Sequence, residues 1–275
     1  MEKWLREETA ALVDAWAPKG KDELRVYLVQ GLQDPRISIQ KILVRHFLTN
    51  ALWPDRFRRP MLAELKHAVR CNLELSAGRR PRELDLNAFA AVWRSALEPL
   101  PRRKASMLEV ACGSANDYRF WAAYGLAPHL EYTGIDLNAR NIENAREMFP
   151  DVRFEVGNVF ELVAGGGTFD YVYVSDLFEH LSFQAIEVAV EQVSSVARRA
   201  VIVNFFEVFD GLGHHVYRRV PSRRYYWHTL SLPKMAHLFE RRARHVRTLP
   251  MVDYLSREAG FSPYHARRAM LLALM

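Results

Sequence analysis

Met107-Leu-Glu-Val-Ala-Cys-Gly-Ser-Ala-Asn-Asp117, followed by Tyr132-Thr-Gly-Ile-Asp136, decides the fold of this chain. The first stretch is a short apolar run that breaks into a small-residue loop. The second is another apolar run that ends on a carboxylate. In a strand–helix–strand unit with parallel strands, this order brings the loop and the acid to one edge of the sheet. The loop lets a ligand approach the backbone, and the acid meets ribose hydroxyls. The ligand class implied is an adenosine-bearing cofactor. A nicotinamide-type fingerprint would carry three glycines. Here Gly113 is the single glycine, and Ala111 and Ala115 fill the other small positions.

Strands and helices alternate outward from this stretch. The pattern predicts strands over 107–111, 132–135, 152–155, 169–174 and 200–204, and helices over 115–124, 139–148 and 183–196. The run Ala200-Val-Ile-Val-Asn204 is apolar enough for burial on both faces. A helix over 232–241 and two final strands, 244–249 and 269–275, complete the set, with 252–259 between those strands. The fold class expected is α/β: a doubly wound, mostly parallel seven-stranded sheet with the last strand antiparallel.

Residues 1–104 read as a helical domain. An amphipathic helix over 2–17 places Trp4, Leu5, Leu12, Val13 and Trp16 on related turns, and Pro18-Lys-Gly20 stops it. Further helices are expected over 22–32, 35–48, 61–75 and 84–97, with an exposed basic linker at 78–82. The division expected is a lid, substrate or oligomerisation domain over 1–104 and a cofactor-binding domain over 105–275, with a substrate-capping insertion around 205–231.

Composition bounds the function. The chain has 275 residues, 49% hydrophobic and 25% charged, which suits one large domain or one with a smaller companion. No apolar run approaches the roughly 20 residues that span a bilayer, and the charged start Met1-Glu-Lys-Trp-Leu-Arg-Glu-Glu lacks a signal-peptide core. The two cysteines, Cys71 and Cys112, form no disulfide or zinc pattern, so a reducing, cytoplasmic setting is expected. The net charge of +6 divides into +7 over 1–104, −10 over 105–213 and +9 over 214–275. Basic ends around an acidic middle can steer an anionic substrate or a nucleic acid.

These motifs, in this order, resemble the class I S-adenosylmethionine-dependent methyltransferases over residues 105–275. Leu108–Ala115 looks like that family's first motif, with alanine at two positions where glycine is usual. The resemblance implies S-adenosylmethionine as cofactor, held by Glu109, Ala111, Gly113, Ser114, Asp136, Leu137, Asn158, Val159 and Ser175. Glu109, Gly113 and nearby backbone would hold the methionine end, and Asp136 would accept from both ribose hydroxyls. Asn158 would pair with the adenine edge while Leu137 and Val159 sandwich the ring. Against those roles, Asp136 could instead cap the helix that follows, and Asn158 could be turn chemistry after Gly157.

His180 is the first choice for a catalytic base, since histidine titrates near neutral pH and this one follows the fourth strand of that domain. An alternative reads Asp176-Leu-Phe-Glu-His180 as a metal-binding turn of Asp176, Glu179 and His180, joined by His214 or His215. It resembles the metal-binding pattern of ubiquinone-pathway and small-RNA methyltransferases. The segment 214–228 interleaves four arginines with four aromatics, from which Tyr217, Arg218, Tyr226 and Trp227 are the substrate-contact candidates. Arg36, Gln40 and Arg45 could line an opposing wall.

The function expected is methyl transfer to an O, N or C atom of a small, anionic or aromatic metabolite, in small-molecule biosynthesis. A runner-up is an RNA methyltransferase, metal-assisted through the Asp176 turn. Two others are a non-catalytic cofactor-binding interaction protein and a nicotinamide oxidoreductase. A homo-oligomer is compatible with all of these.

Overall fold

The computed structural model describes residues 2–15, 104–123, 126–213, 226–250 and 269–275. The helices expected over 22–97, the linker at 78–82, Cys71 and the segment 252–259 lie outside the described residues.

Seven strands form one sheet. In chain order they are β1 (Ala105–Val110), β2 (Leu130–Asp136), β3 (Arg153–Val156), β4 (Phe169–Ser175), β5 (Ala197–Phe205), β8 (His245–Pro250) and β9 (Ala269–Leu274). The sheet order is β3-β2-β1-β4-β5-β9-β8. Pairings from β3 through β5 are parallel, and β9 runs antiparallel to both β5 and β8. The expected doubly wound sheet with an antiparallel last strand is therefore the observed one. Order reverses at β1, with β2 on one side and β4 on the other, so a crevice opens at the carboxyl ends of these strands.

Both faces of the sheet are covered, and the period-two pattern says why. Met107, Tyr171, Tyr173, Ile202 and Leu272 point to one face; Leu108, Val110, Val172, Val174, Val201, Val203 and Leu271 point to the other. On the first face, α2 (Tyr118–Ala123) and α3 (Ala139–Met148) contribute Tyr118, Trp121 and Ile142. This side is aromatic: Trp121 meets Tyr173 edge-on at 5.0 Å, and Tyr118 lies 4.5 Å from Tyr132. The second face is aliphatic and receives α4 (Phe183–Val196) and α5 (Leu232–Glu240). Between β5 and α5, β6 (Val208–Phe209) and β7 (Leu230–Ser231) pair in parallel at the two ends of the insertion.

The N-terminal helix α1 (Lys3–Ala15) docks on this second face. Leu5 is buried there, with Trp4 and Leu12 packed alongside. Glu8 of α1 accepts from both the amide and the hydroxyl of Ser182, each at 2.5 Å. Ser182 is the N-cap of α4, so a carboxylate from the far end of the chain sits at that helix's positive terminus.

The expected helix over 115–124 begins later, at Tyr118. The reason is backbone conformation: Ala115 has φ 61°, a left-handed value that no right-handed helix accommodates. No helix among the described residues is long and apolar enough to cross a membrane.

Candidate functional site

A cavity of about 400 Å³ opens where β1, β2 and β4 end, a size within the range of small-molecule and cofactor sites. Its inner half is built by the loop after β1 and the end of β2. Ala111, Gly113 and Ala115 all adopt left-handed φ, at 59°, 57° and 61°. This alternation turns the chain tightly enough for backbone to face the cavity. Two of the three positions are alanine, which costs roughly 1–2 kcal/mol each in that conformation. Gly113 has no such latitude. A Cβ there would come within 2.5 Å of the Asn116 amide nitrogen, besides needing the positive φ.

Asp136 is fixed from three sides. The Gly113 amide donates to its Oδ2 at 2.9 Å, and the Asn138 amide and the Asn141 side chain donate to Oδ1 at 2.8 and 3.1 Å. Burial raises its pKa, and these donors pull it back down. Asp136 is not the cap of α3. That job falls to Asn138, whose side chain accepts from the Arg140 amide. Glu109 is 1% exposed yet lines the cavity, and it accepts from the Tyr132 hydroxyl at 2.7 Å. Gly134 makes that contact possible, because a Cβ there would meet the same hydroxyl at 2.7 Å. Asp117 likewise accepts from the Tyr173 hydroxyl, at 3.0 Å. The aromatic face of the sheet thus supplies the donors that hold two cavity carboxylates.

The outer half gathers three segments. At the end of β4, Asp176 has φ 52°, an uncommon value for a non-glycine residue. Asn204 at the end of β5 steadies it, donating to Ser175 Oγ at 2.9 Å and to Asp176 Oδ1 at 3.3 Å. A single turn follows, Phe178–His180. The backbone amide of Phe206 donates to Glu179 Oε1 at 2.5 Å, and the carbonyl of Glu179 accepts from the His228 amide at 2.8 Å. One residue thus ties both ends of the insertion to the turn. Burial and the charge of Asp176 push the Glu179 carboxyl up to about 8. His180 Nδ1 lies 3.1 Å from the Tyr226 carbonyl. A carbonyl only accepts, so Nδ1 carries the proton and Nε2 the lone pair. Burial lowers the His180 pKa, keeping the ring neutral at pH 7. Trp227 stands edge-on to both His180 and Phe206, at 5.4 and 5.5 Å, and all three line the cavity.

Of the residues singled out in the sequence, Glu109, Ala111, Gly113, Asp136, Leu137, Asn158, Val159, Ser175, His180 and Trp227 line this one cavity. Ser114 does not. It is buried behind the loop, with its hydroxyl 3.2 Å from Asn141 Oδ1. Asn158 caps the turn after β3 by accepting from the Phe160 amide, and its side-chain nitrogen reaches Thr9 of α1 at 3.4 Å. Tyr226 stacks on His228 and contributes its carbonyl to His180. Tyr217, Arg218, His214, His215, Arg36, Gln40 and Arg45 lie outside the described residues. Among the described residues no cluster of metal-ligating side chains forms, and Glu179 is turned onto the Phe206 amide. Leu12, Asn116, Asp117, Arg119, Asn141 and Phe206 also line the cavity and were not singled out. Asn116 and Asp117 sit inside the motif itself. Leu12 reads in sequence only as one more apolar residue of an amphipathic helix.

Residues 107–200 match the family model described as a methyltransferase domain. The chain thus carries a methyltransferase domain over these residues. The left-handed loop, the Asp136 carboxylate and the size of the cavity fit S-adenosylmethionine, the cofactor that the sequence motifs imply. Solved structures similar to this chain include the Burkholderia thailandensis 1,6-didemethyltoxoflavin-N1-methyltransferase with bound 1,6-didemethyltoxoflavin and S-adenosylhomocysteine. That likeness has 16% identity and a TM-score of 0.44, over 80% of this chain and 89% of the other. A TehB-like S-adenosylmethionine-dependent methyltransferase from Corynebacterium glutamicum is similar at 15% identity and a TM-score of 0.45, over 76% of this chain and 96% of the other. No curated protein sequence matches the chain.

Proposed function

We propose that this chain is an S-adenosylmethionine-dependent methyltransferase that acts on a small, flat metabolite, placing the methyl on an O, N or C atom. The carrying observation is a single cavity with an Asp136-and-loop end and a His180–Trp227–Phe206 end. In this reading Asp136 accepts from a ribose hydroxyl at Oδ2, the oxygen that holds a single donor. Glu109, the Gly113 loop and Asp117 hold the methionine end, and Leu137 and Val159 flank the adenine. Asn158 serves chiefly as the turn cap and meets the adenine edge through its backbone neighbourhood.

When bound, S-adenosylmethionine supplies an activated methyl on a sulfonium sulfur. The protein's share is alignment, exclusion of water and removal of a proton. Trp227 and Phe206 orient a planar acceptor, and His180 Nε2 takes its proton while Nδ1 stays bonded to the Tyr226 carbonyl. The aromatic walls support a flat acceptor. An anionic acceptor would have to draw on the arginines of 214–225, since Arg119 is the one guanidinium among the described cavity residues.

Residues 1–104 act in this reading as a lid, supported by the placement of Leu12 in the cavity wall. A reducing, cytoplasmic setting is part of it too. Cys112 is a buried free thiol whose pKa burial pushes up, which keeps it unreactive. The test is calorimetric titration of wild type and Asp136→Ala with S-adenosylmethionine, S-adenosylhomocysteine and NAD. The reading expects the first two to bind wild type and to be lost in the variant. Binding of NAD instead, or binding indifferent to the substitution, would overturn it.

A further inference from the structure

We infer that Tyr132 and Tyr173 are positioning residues for the cofactor's amino-acid end: each buried hydroxyl aims one cavity carboxylate at the ligand's ammonium group. This rests on the methyl-transfer reading of the same cavity and assigns a role to two side chains that do not line it. Glu109 and Asp117 both line the cavity, yet they are only 1% and 2% exposed. What each presents to a ligand therefore depends on how its carboxylate is turned. That turn is set from behind. Tyr132 donates to Glu109 Oε2 at 2.7 Å, and Tyr173 donates to Asp117 Oδ2 at 3.0 Å. An O–H bond to a carboxylate is charge-assisted and directional, so it fixes the plane of the group that accepts it.

The two donors are themselves held in place. Tyr132 reaches Glu109 past Gly134, where a Cβ would meet its hydroxyl at 2.7 Å. Tyr173 pairs with Glu109 in the parallel register of β1 and β4. Trp121 stands edge-on to both rings, at 5.7 Å from Tyr132 and 5.0 Å from Tyr173. Rings packed at interior density keep their hydroxyls in one position. Burial first, and the nearby carboxylates second, push both phenols well above the ordinary tyrosine value, so each hydroxyl keeps its proton and remains a donor. An ammonium is a triple donor and binds best where its acceptors are already oriented, because the ordering has been done during folding.

The test is calorimetric titration of the full chain with S-adenosylhomocysteine and with 5′-methylthioadenosine, which keeps the adenosine and the sulfur and lacks the amino-acid end. Tyr132→Phe and Tyr173→Phe should each weaken S-adenosylhomocysteine ~10-fold and 5′-methylthioadenosine less than ~2-fold. Tyr118→Phe removes a hydroxyl from the same aromatic layer and should leave both affinities unchanged. In an Asp117→Ala background, Tyr173→Phe should weaken S-adenosylhomocysteine by less than a further ~2-fold, since the hydroxyl acts through that carboxylate. This cycle reads the coupling from S-adenosylhomocysteine alone. Equal weakening of both ligands would reduce the tyrosines to a structural role and overturn the inference. Unchanged affinity in both variants, or a fully additive loss in the Asp117→Ala background, would overturn it as well. Failure of S-adenosylhomocysteine to bind wild type would instead strike the methyl-transfer reading beneath it.

Discussion

The two halves of the cavity are built on opposite plans. The cofactor half is local: loop, carboxylate and capping asparagines come from residues 109–141, and Asp136 alone draws three donors from that span. The acceptor half is composite. Ser175 and Asp176 come from β4, Phe206 follows β5, and Trp227 returns from the insertion, with Glu179 bonded to both ends. A local site is fixed as soon as one strand–helix–strand unit folds. A composite site stays adjustable, because each segment can change without disturbing the others. One half of the cavity can therefore remain constant while the other is fitted to a new acceptor.

If that division holds, substitutions should separate cleanly. Asp136→Ala should have the largest effect, weakening S-adenosylhomocysteine about 1,000-fold by calorimetry, because it removes one charge-assisted hydrogen bond to the ligand and also releases the Gly113 loop that it anchors. His180→Gln should lower kcat by about 100-fold while cofactor affinity stays within about twofold. In wild type, kcat should hold through neutral pH and fall only below the ordinary histidine value of 6.5, because the neutral ring is the active form and burial lowers its pKa. Loss of cofactor affinity in that variant would break the contrast between the halves.

Glu179→Gln sharpens the comparison through pH. The folded-state pKa of Glu179 is raised from 4.5 to about 8, so the folded protein keeps a proton that the unfolded chain has released. The stability this confers is complete below about 4.5 and drains away as pH climbs towards 8. Wild type should thus lose several degrees of Tm between about pH 5 and 8.5, and the glutamine variant should show a flatter profile. An unchanged slope would remove Glu179 as its source. The smallest effect is expected at the loop. Ala111→Gly or Ala115→Gly relieves left-handed strain but adds freedom to the unfolded chain, for a net gain of about 1 kcal/mol or less by denaturant titration. A marked destabilisation would mean that these methyl groups pack too well to lose.

The sheet was legible because its strands announce themselves individually. Ala200–Asn204 is apolar throughout, and the alternation in Phe169–Ser175 assigns valines to one face and tyrosines to the other. The cofactor half was legible for the same reason that it is local. Less legible were the contacts that depend on distant segments meeting. Glu179 reads in sequence as a ligand in an acidic turn, and nothing nearby reveals that the Phe206 amide will claim it. Leu12 and Thr9 carry no mark of a site, because only the docking of α1 brings them to it. The late start of α2 was hidden by Ala115, since alanine usually favours a helix and here adopts a left-handed turn.

The contact between Glu8 and Ser182 also sets a schedule. These residues stand 174 positions apart, and Thr9 lies 149 positions from Asn158. At a synthesis rate of roughly 5–20 residues per second, α1 leaves the ribosome on the order of ten seconds before the residues it docks against. An isolated helix of 13 residues is marginal in water, so α1 gains its stability only on arrival at α4. The wall that Leu12 contributes can therefore form once α4 has emerged, before Phe206 and Trp227 reach the cavity. A nascent chain can seat α1 beside the cavity before the last two strands of its sheet, β8 and β9, have been made.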